Sequence, residues 1–251
     1  MELNYYQLGS GKPLLILHGL FGQSDNWLTL AKRWATTHTV YVIDLRNHGK
    51  SPHDIVFTHA AMAQDVVAFI ERNSLQDVTL MGHSLGGKVA MYVALNYQAI
   101  QKLIVVDIAP RYYKPHHQSI INGLYAVPLH QLTSRNMAEP FLEPFIDDAG
   151  TRQFLLKNLY WKTDTQLAWR FNLDAIASNI DQVGAAVTGK PFQRPALFIN
   201  GGKSNYITSN DSNLINILFP FATFATEPNV GHWVHAESPN WMFGTVNDFL
   251  Q

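Results

Sequence analysis

The 251-residue sequence contains no cysteine. Disulfides, thiol catalysis and cysteine-ligated metal are thereby excluded. Charge is also scarce: Asp, Glu, Lys and Arg together make up 15% of the chain, against about 25% in an ordinary soluble domain. A surface so short of charge is expected to carry an apolar patch or groove. Neither sign dominates. The 18 Lys and Arg nearly balance 19 Asp and Glu, for a net charge of -1 and a pI near 6.8. No basic field is available to hold nucleic acid or an anionic membrane. No apolar run reaches membrane-spanning length, and Met1-Glu2-Leu3-Asn4-Tyr5-Tyr6 lacks the charged and long apolar regions of a secretory signal. A soluble, cytoplasmic protein is the expectation. Repeats and low-complexity tracts are missing too.

What is present is an alternating rhythm. Leu3–Leu8 reads as a short edge strand and Pro13–Leu17 as a strand buried on both faces. Trp27–Thr37, Thr58–Asn73 and Leu85–Tyr97 read as helices, and Thr39–Leu45, Val78–Met81 and Lys102–Ile108 as strands. From Arg111 to about Arg194 the rhythm breaks into helix-like segments with no clear strand. Pro195–Asn200, Ser209–Leu218, Ala222–Thr226 and Ser238–Leu250 then resume as strand, helix, strand and helix. The alternation predicts an α/β fold, a parallel sheet with helices on both faces. Its core would span residues 1–110 and 195–251, with an inserted helical cap over 111–194. Such sheets bind ligands at the carboxyl ends of their strands. His18, Ser84, Asp107, Ser204 and His232 all follow strand-like runs and are candidates for that edge.

Gly82-His83-Ser84-Leu85-Gly86 reads Gly-x-Ser-x-Gly, with an apolar strand before it and a helix of small and apolar residues after it. A serine on so tight a turn is forced outward, and its hydroxyl is exposed at the edge of the sheet. The helix behind it offers backbone N–H groups to a developing negative charge. A serine hydroxyl needs a base, and His232 lies between the last strand and the last helix, as the chain order nucleophile, acid, base requires. His235 invites a metal reading with His232, but a catalytic zinc needs three protein ligands and no third is evident. The chemistry asks for no metal and no cofactor.

The acid is less obvious. The turn after Pro195–Asn200 is Gly201-Gly202-Lys203-Ser204, where a carboxylate would be expected. Serine can hydrogen-bond an imidazole but cannot stabilise its charge as a carboxylate does. Asp211 falls within a predicted helix and is expected to point away. Asp107, one strand after the nucleophile's strand, is the better candidate, with Ser204 as an accessory contact. The oxyanion donors are expected to be the N–H of Leu85 and one from His18-Gly19-Leu20-Phe21-Gly22, Leu20 first and Phe21 second. His18 is read as shaping that turn, and Arg46, Asn47 and His48 as an anchoring network. Phe21, Trp161, Trp169 and Phe171 are candidates for the substrate pocket, the other aromatics of 111–194 forming that lobe's own core.

These motifs, together with Asp44-Leu45-Arg46-Asn47-His48-Gly49, Asp107-Ile108-Ala109-Pro110, Trp169-Arg170-Phe171-Asn172 and Gly231-His232-Trp233-Val234-His235-Ala236-Glu237, resemble the α/β-hydrolase superfamily and, within it, the YbfF-type bacterial esterases. Most members of the superfamily carry Gly-x-x-Asp where this chain has Ser204. The resemblance implies an eight-stranded core, a helical cap, an acid on the Asp107 strand and a serine at position 204 joining the histidine. It also implies hydrolysis of a small-molecule ester or thioester, short-chain esters and acyl-CoA included. Rival readings are a carbon–carbon hydrolase or menaquinone-pathway lyase on the same scaffold, and, from a different class, a non-catalytic ligand receptor. The sequence assigns no oligomeric state.

Overall fold

A computed structural model describes residues 1–97 and 99–251. In its sheet β2 (Lys12–Leu17) lies between β3 (His38–Ile43) and β4 (Thr79–His83). With β1 (Tyr5–Leu8), β5 (Lys102–Val106), β8 (Ala196–Gly201) and β9 (Ala222–Glu227) they form one sheet in the order β1-β3-β2-β4-β5-β8-β9. Only β1 runs antiparallel to its neighbour. The resemblance implied eight strands. Among the described residues this sheet has seven, with β1 at one edge and β9 at the other.

Alternation along the strands explains the layering. Leu14 and Ile16 face one apolar cluster, with Trp27, Trp34, Met242 and Val246. These belong to the face covered by α1 (Leu28–Trp34) and α11 (Pro239–Leu250). Leu15 and Leu17 face the other, with Val66 of α2 (His59–Arg72) and Val89 and Val93 of α3 (Leu85–Asn96). α2 begins where its sequence says it should: Thr58 caps it, its side chain accepting the N–H of Ala61.

Between β5 and β8 the chain forms α4 (Gln118–Ala126), α5 (Glu139–Leu142), α6 (Ala149–Leu156), α7 (Leu173–Ser178) and α8 (Ile180–Val183). The expectation of an all-helical insertion is corrected here. β6 (Leu159–Thr163) and β7 (Gln166–Trp169) form an antiparallel hairpin. Leu159, Leu167 and Trp169 are its buried positions, a period of two over stretches too short to stand out from helical spacing. Nor does this lobe have a core of its own. Ile121, Leu142, Leu155, Leu167 and Ile176 join the same cluster as α2 and α3.

Candidate active site

Ser84 sits in the turn between β4 and α3 at φ 51, ψ -115. A backbone so far from the ordinary wells costs on the order of 1–3 kcal/mol and persists only where the surroundings enforce it. Here they do. Ser84 N–H donates to the Val106 carbonyl at 3.0 Å, and Lys88 N–H to the Ser84 carbonyl at 3.0 Å. The flanking glycines allow the approach: a Cβ on Gly82 would lie 2.1 Å from the Gly86 carbonyl oxygen, and one on Gly86 2.5 Å from that of Leu17. Phe21, Asn47 and Asp107 also have positive φ, so strained backbone gathers at the carboxyl edge of the sheet.

Asp107 follows β5 and is fully buried. Its Oδ2 accepts from His232 Nδ1 at 2.6 Å and from Ser204 Oγ at 2.5 Å, and its Oδ1 from Gly201 N–H at 3.1 Å. β5 and β8 are parallel neighbours, so the residues just beyond each meet at this edge. Asp107 as acceptor fixes the proton on Nδ1 of a neutral His232, leaving the Nε2 lone pair free. Glu237 braces the histidine's loop from both sides, accepting the N–H of Gly231 at 2.9 Å and of Trp233 at 3.2 Å. His83 Nε2 donates to the His232 carbonyl at 3.0 Å, and the Tyr206 ring stacks on the imidazole at 4.1 Å. His83, Tyr206 and Glu237 were not expected to support the site. Glu237 could have been found from its place in the motif after His232, whereas an aromatic in the loop after Ser204 carries no pattern of its own.

Asp211 is engaged elsewhere. It ends a 3-10 turn, Ser209–Asp211, where its carboxylate caps the Thr208 N–H and pairs with Arg111 at 2.8 Å. Among the described residues no hydrogen bond joins Ser84 Oγ to His232, although both line the same cavity of about 980 Å³. Such contacts tighten when substrate fills the site.

The loop after β2 is held by two buried histidines. His18 Nε2 accepts the Leu45 N–H at 3.0 Å while its Nδ1 donates to the Gly19 carbonyl at 2.8 Å. His48 Nε2 accepts the Phe21 N–H at 3.1 Å and its Nδ1 donates to the Arg46 carbonyl. Burial lowers the pKa of both, that of His48 to about 3, so both are neutral. The Phe21 N–H is therefore spent, and Phe21 drops out as an oxyanion donor. The N–H groups of Leu20 and Leu85 have no partner among the described residues, as expected for Leu85 in a first helical turn. Around them Arg46 pairs with Asp65 at 2.6 Å, and Asn47 takes the Asn172 N–H on its carbonyl, tying the turn to the inserted lobe.

Phe21 lines the large cavity, but Trp161, Trp169 and Phe171 do not. Trp161 is exposed, while Trp169 and Phe171 are buried and stacked on each other at 5.3 Å, with Phe171 edge-on to Phe21. The strand pairing of β6 and β7 turns Trp169 into the core instead of toward Ser84. Ile120, Phe154 and Trp233 supply the apolar wall. A second, smaller pocket of about 20 Å³ adjoins Leu20, Ser84 and Leu85 and runs under the lobe to Lys88, Tyr113 and Ile180.

The whole arrangement lies within residues 12–239, which match the family described as the α/β hydrolase fold. The chain belongs to the α/β-hydrolase family. It is 37% identical to the sn-1-specific diacylglycerol lipase ABHD11 of Mus musculus, covering 94% of this chain and 80% of that protein. It is 34% identical to esterase YbfF of Escherichia coli, covering 96% of this chain and 94% of that one. A solved marine microorganism esterase superposes on this α/β hydrolase with a TM-score of 0.96 at 40% identity, covering 99% of both chains. No helix of the described residues is long and apolar enough to cross a membrane.

Proposed function

We propose that this α/β hydrolase is a serine carboxylesterase working through an acyl-enzyme. His232 Nε2 takes the proton from Ser84 Oγ as that oxygen attacks the ester carbonyl carbon. The carbonyl oxygen becomes an oxyanion held by the Leu20 and Leu85 N–H groups. His232 then delivers its proton to the departing alcohol, the carbon–oxygen bond breaks, and the acyl group stays on Ser84. Water attacks the acyl carbon next, His232 taking its proton; the bond to Ser84 Oγ breaks, His232 returns the proton to that oxygen, and the carboxylic acid leaves. Asp107 keeps the imidazole in the required tautomer and stabilises its transient charge. Ser204 shares the Asp107 carboxylate and holds it in place.

The observation that carries this reading is the 2.6 Å His232–Asp107 pair, with His232 sharing one cavity with a serine on a strained elbow, whose adjoining pocket is lined by the two residues with unpartnered N–H groups, Leu20 and Leu85. Residues 111–194 act as an inserted cap over a core of 1–110 and 195–251. The thioester reading, with acyl-CoA among the substrates, and a cytoplasmic setting extend the proposal on the likeness drawn from the sequence motifs. A series of p-nitrophenyl esters and acyl-CoAs tests it. Wild type turns over at least the short esters, and Ser84→Ala loses that turnover. Equal turnover by Ser84→Ala would overturn the nucleophile; hydrolysis of esters but not of acyl-CoAs would remove the thioester arm.

A further inference from the structure

Lys88 lies one helical turn beyond Ser84 and is 1% exposed. Its ammonium is not free for chemistry. It donates to the carbonyls of Pro110 at 3.3 Å, Arg111 at 2.5 Å and Ala185 at 3.0 Å. Pro110 and Arg111 belong to the segment leaving the core for the inserted lobe, and Ala185 to the segment returning. These two segments also bond each other, Tyr113 N–H to the Gly184 carbonyl and Val187 N–H to the Pro110 carbonyl, both at 2.8 Å. The result is a two-stranded neck with a single buried cation holding both sides to the helix that begins at the nucleophile. An ammonium has three protons, and three carbonyls use them. The Tyr113 ring covers the ammonium at 4.8 Å, and its phenol ties Ala109 N–H to the Tyr206 carbonyl.

The neck matters because it walls the smaller pocket. That pocket, about 20 Å³, is bounded by Leu20, Ser84 and Leu85 on one side and by Tyr113, Val183 and Gly184 of the neck on the other. It has room for a water-sized group, whereas the adjoining cavity of about 980 Å³ accepts a far larger one. We propose that Lys88 is a positioning residue that sets acyl-chain selectivity: by clamping the neck of the lobe it keeps the pocket beside Ser84 small, so that a short acyl group occupies it and the alcohol or thiol portion lies in the large cavity. Burial, and then the neighbouring Arg111 charge, lower the Lys88 pKa to about 7, a pull toward the neutral amine that its three carbonyl acceptors oppose. The inference rests on the esterase reading with Ser84 as nucleophile.

The test compares wild type, Lys88→Met and Lys88→Arg on p-nitrophenyl acetate and octanoate. Rates are normalised to sites titrated with diethyl p-nitrophenyl phosphate. Met keeps the side-chain length and removes the donors; Arg keeps charge and donors. Releasing the neck widens the pocket. The octanoate-to-acetate ratio of kcat/KM should rise about ten-fold or more in Lys88→Met, the scale at which added methylenes are discriminated. The change should be carried mainly by KM for octanoate, and Lys88→Arg should return the ratio to near the wild-type value. A ratio within two-fold of wild type in Lys88→Met overturns the inference. So does failure of Lys88→Arg to rescue, which would assign the effect to altered volume, and so does loss of titratable sites in both variants, which would make Lys88 a folding requirement. If wild type itself is neither titrated nor active, the esterase reading fails instead.

Discussion

At the scale of single residues, the decisive group is Asp107. Both its carboxylate oxygens are used, by Gly201 and Ser204 at the end of β8 and by His232 in the loop after β9. Asp107→Asn preserves shape but offers His232 an amide, which stabilises neither the required tautomer nor the imidazolium. The predicted loss in kcat is about 10⁴-fold. Ser204→Ala removes one hydrogen bond to the same carboxylate and should cost about ten-fold, the kinetic equivalent of one net hydrogen bond. Asp211→Asn should leave kcat within about two-fold, because its buried carboxylate contacts Thr208 and Arg111 and none of the catalytic groups, and should be seen only as a lower Tm. Steady-state kinetics on p-nitrophenyl acetate ranks the three. Should Asp211→Asn prove the crippling change, the acid is misplaced.

At the scale of elements, the elbow works because α3 approaches both β4 and β2 more closely than a side chain permits. Gly86→Ala puts a methyl 2.5 Å from the Leu17 carbonyl oxygen. Backbone cannot yield as a flexible side chain can, so α3 must shift, at a cost of about 1–3 kcal/mol. Urea unfolding should show that loss, with reduced labelling of Ser84 in the protein that remains folded. This element was legible in sequence because its signals are local: an apolar run, glycines two residues either side of a serine, then a helical run. The acid was legible through a substitution, Ser204 standing where a carboxylate was expected. The β6–β7 hairpin was not, since its period-two signal covers only four or five residues per strand. The pocket assignments of Trp161, Trp169 and Phe171 failed for the same reason, because their directions follow from that hairpin's pairing. Likewise the stacking of Tyr206 on His232 exists only once loops from β8 and β9 are folded side by side.

Across the whole molecule, burial has a pH signature. Burial lowers the pKa of six histidines, His18, His48, His59, His83, His117 and His235, to about 3 for His48, His117 and His235 and about 4 for His59. In the fold they are neutral; in the unfolded chain they protonate below about pH 6.5. The unfolded state therefore binds more protons, and the stability present above pH 6.5 is lost as pH falls toward the folded-state values. Each histidine contributes up to about 1.4 kcal/mol per pH unit across that window. Urea midpoints measured from pH 7 to pH 5 should fall with a slope that grows toward uptake of about six protons on unfolding; a flat profile would show that these histidines are charged in the fold. The large cavity, the paired Asp107 and His232 and the strained serine converge on one claim, that Ser84 is an activated nucleophile. The most direct measurement is intact-mass and peptide-level analysis after reaction with a fluorophosphonate probe. One adduct per chain, located on Ser84, formed by the folded protein and lost on urea denaturation or in His232→Ala, is the predicted result. Folded protein that stays unlabelled, or is labelled at another serine, would contradict it.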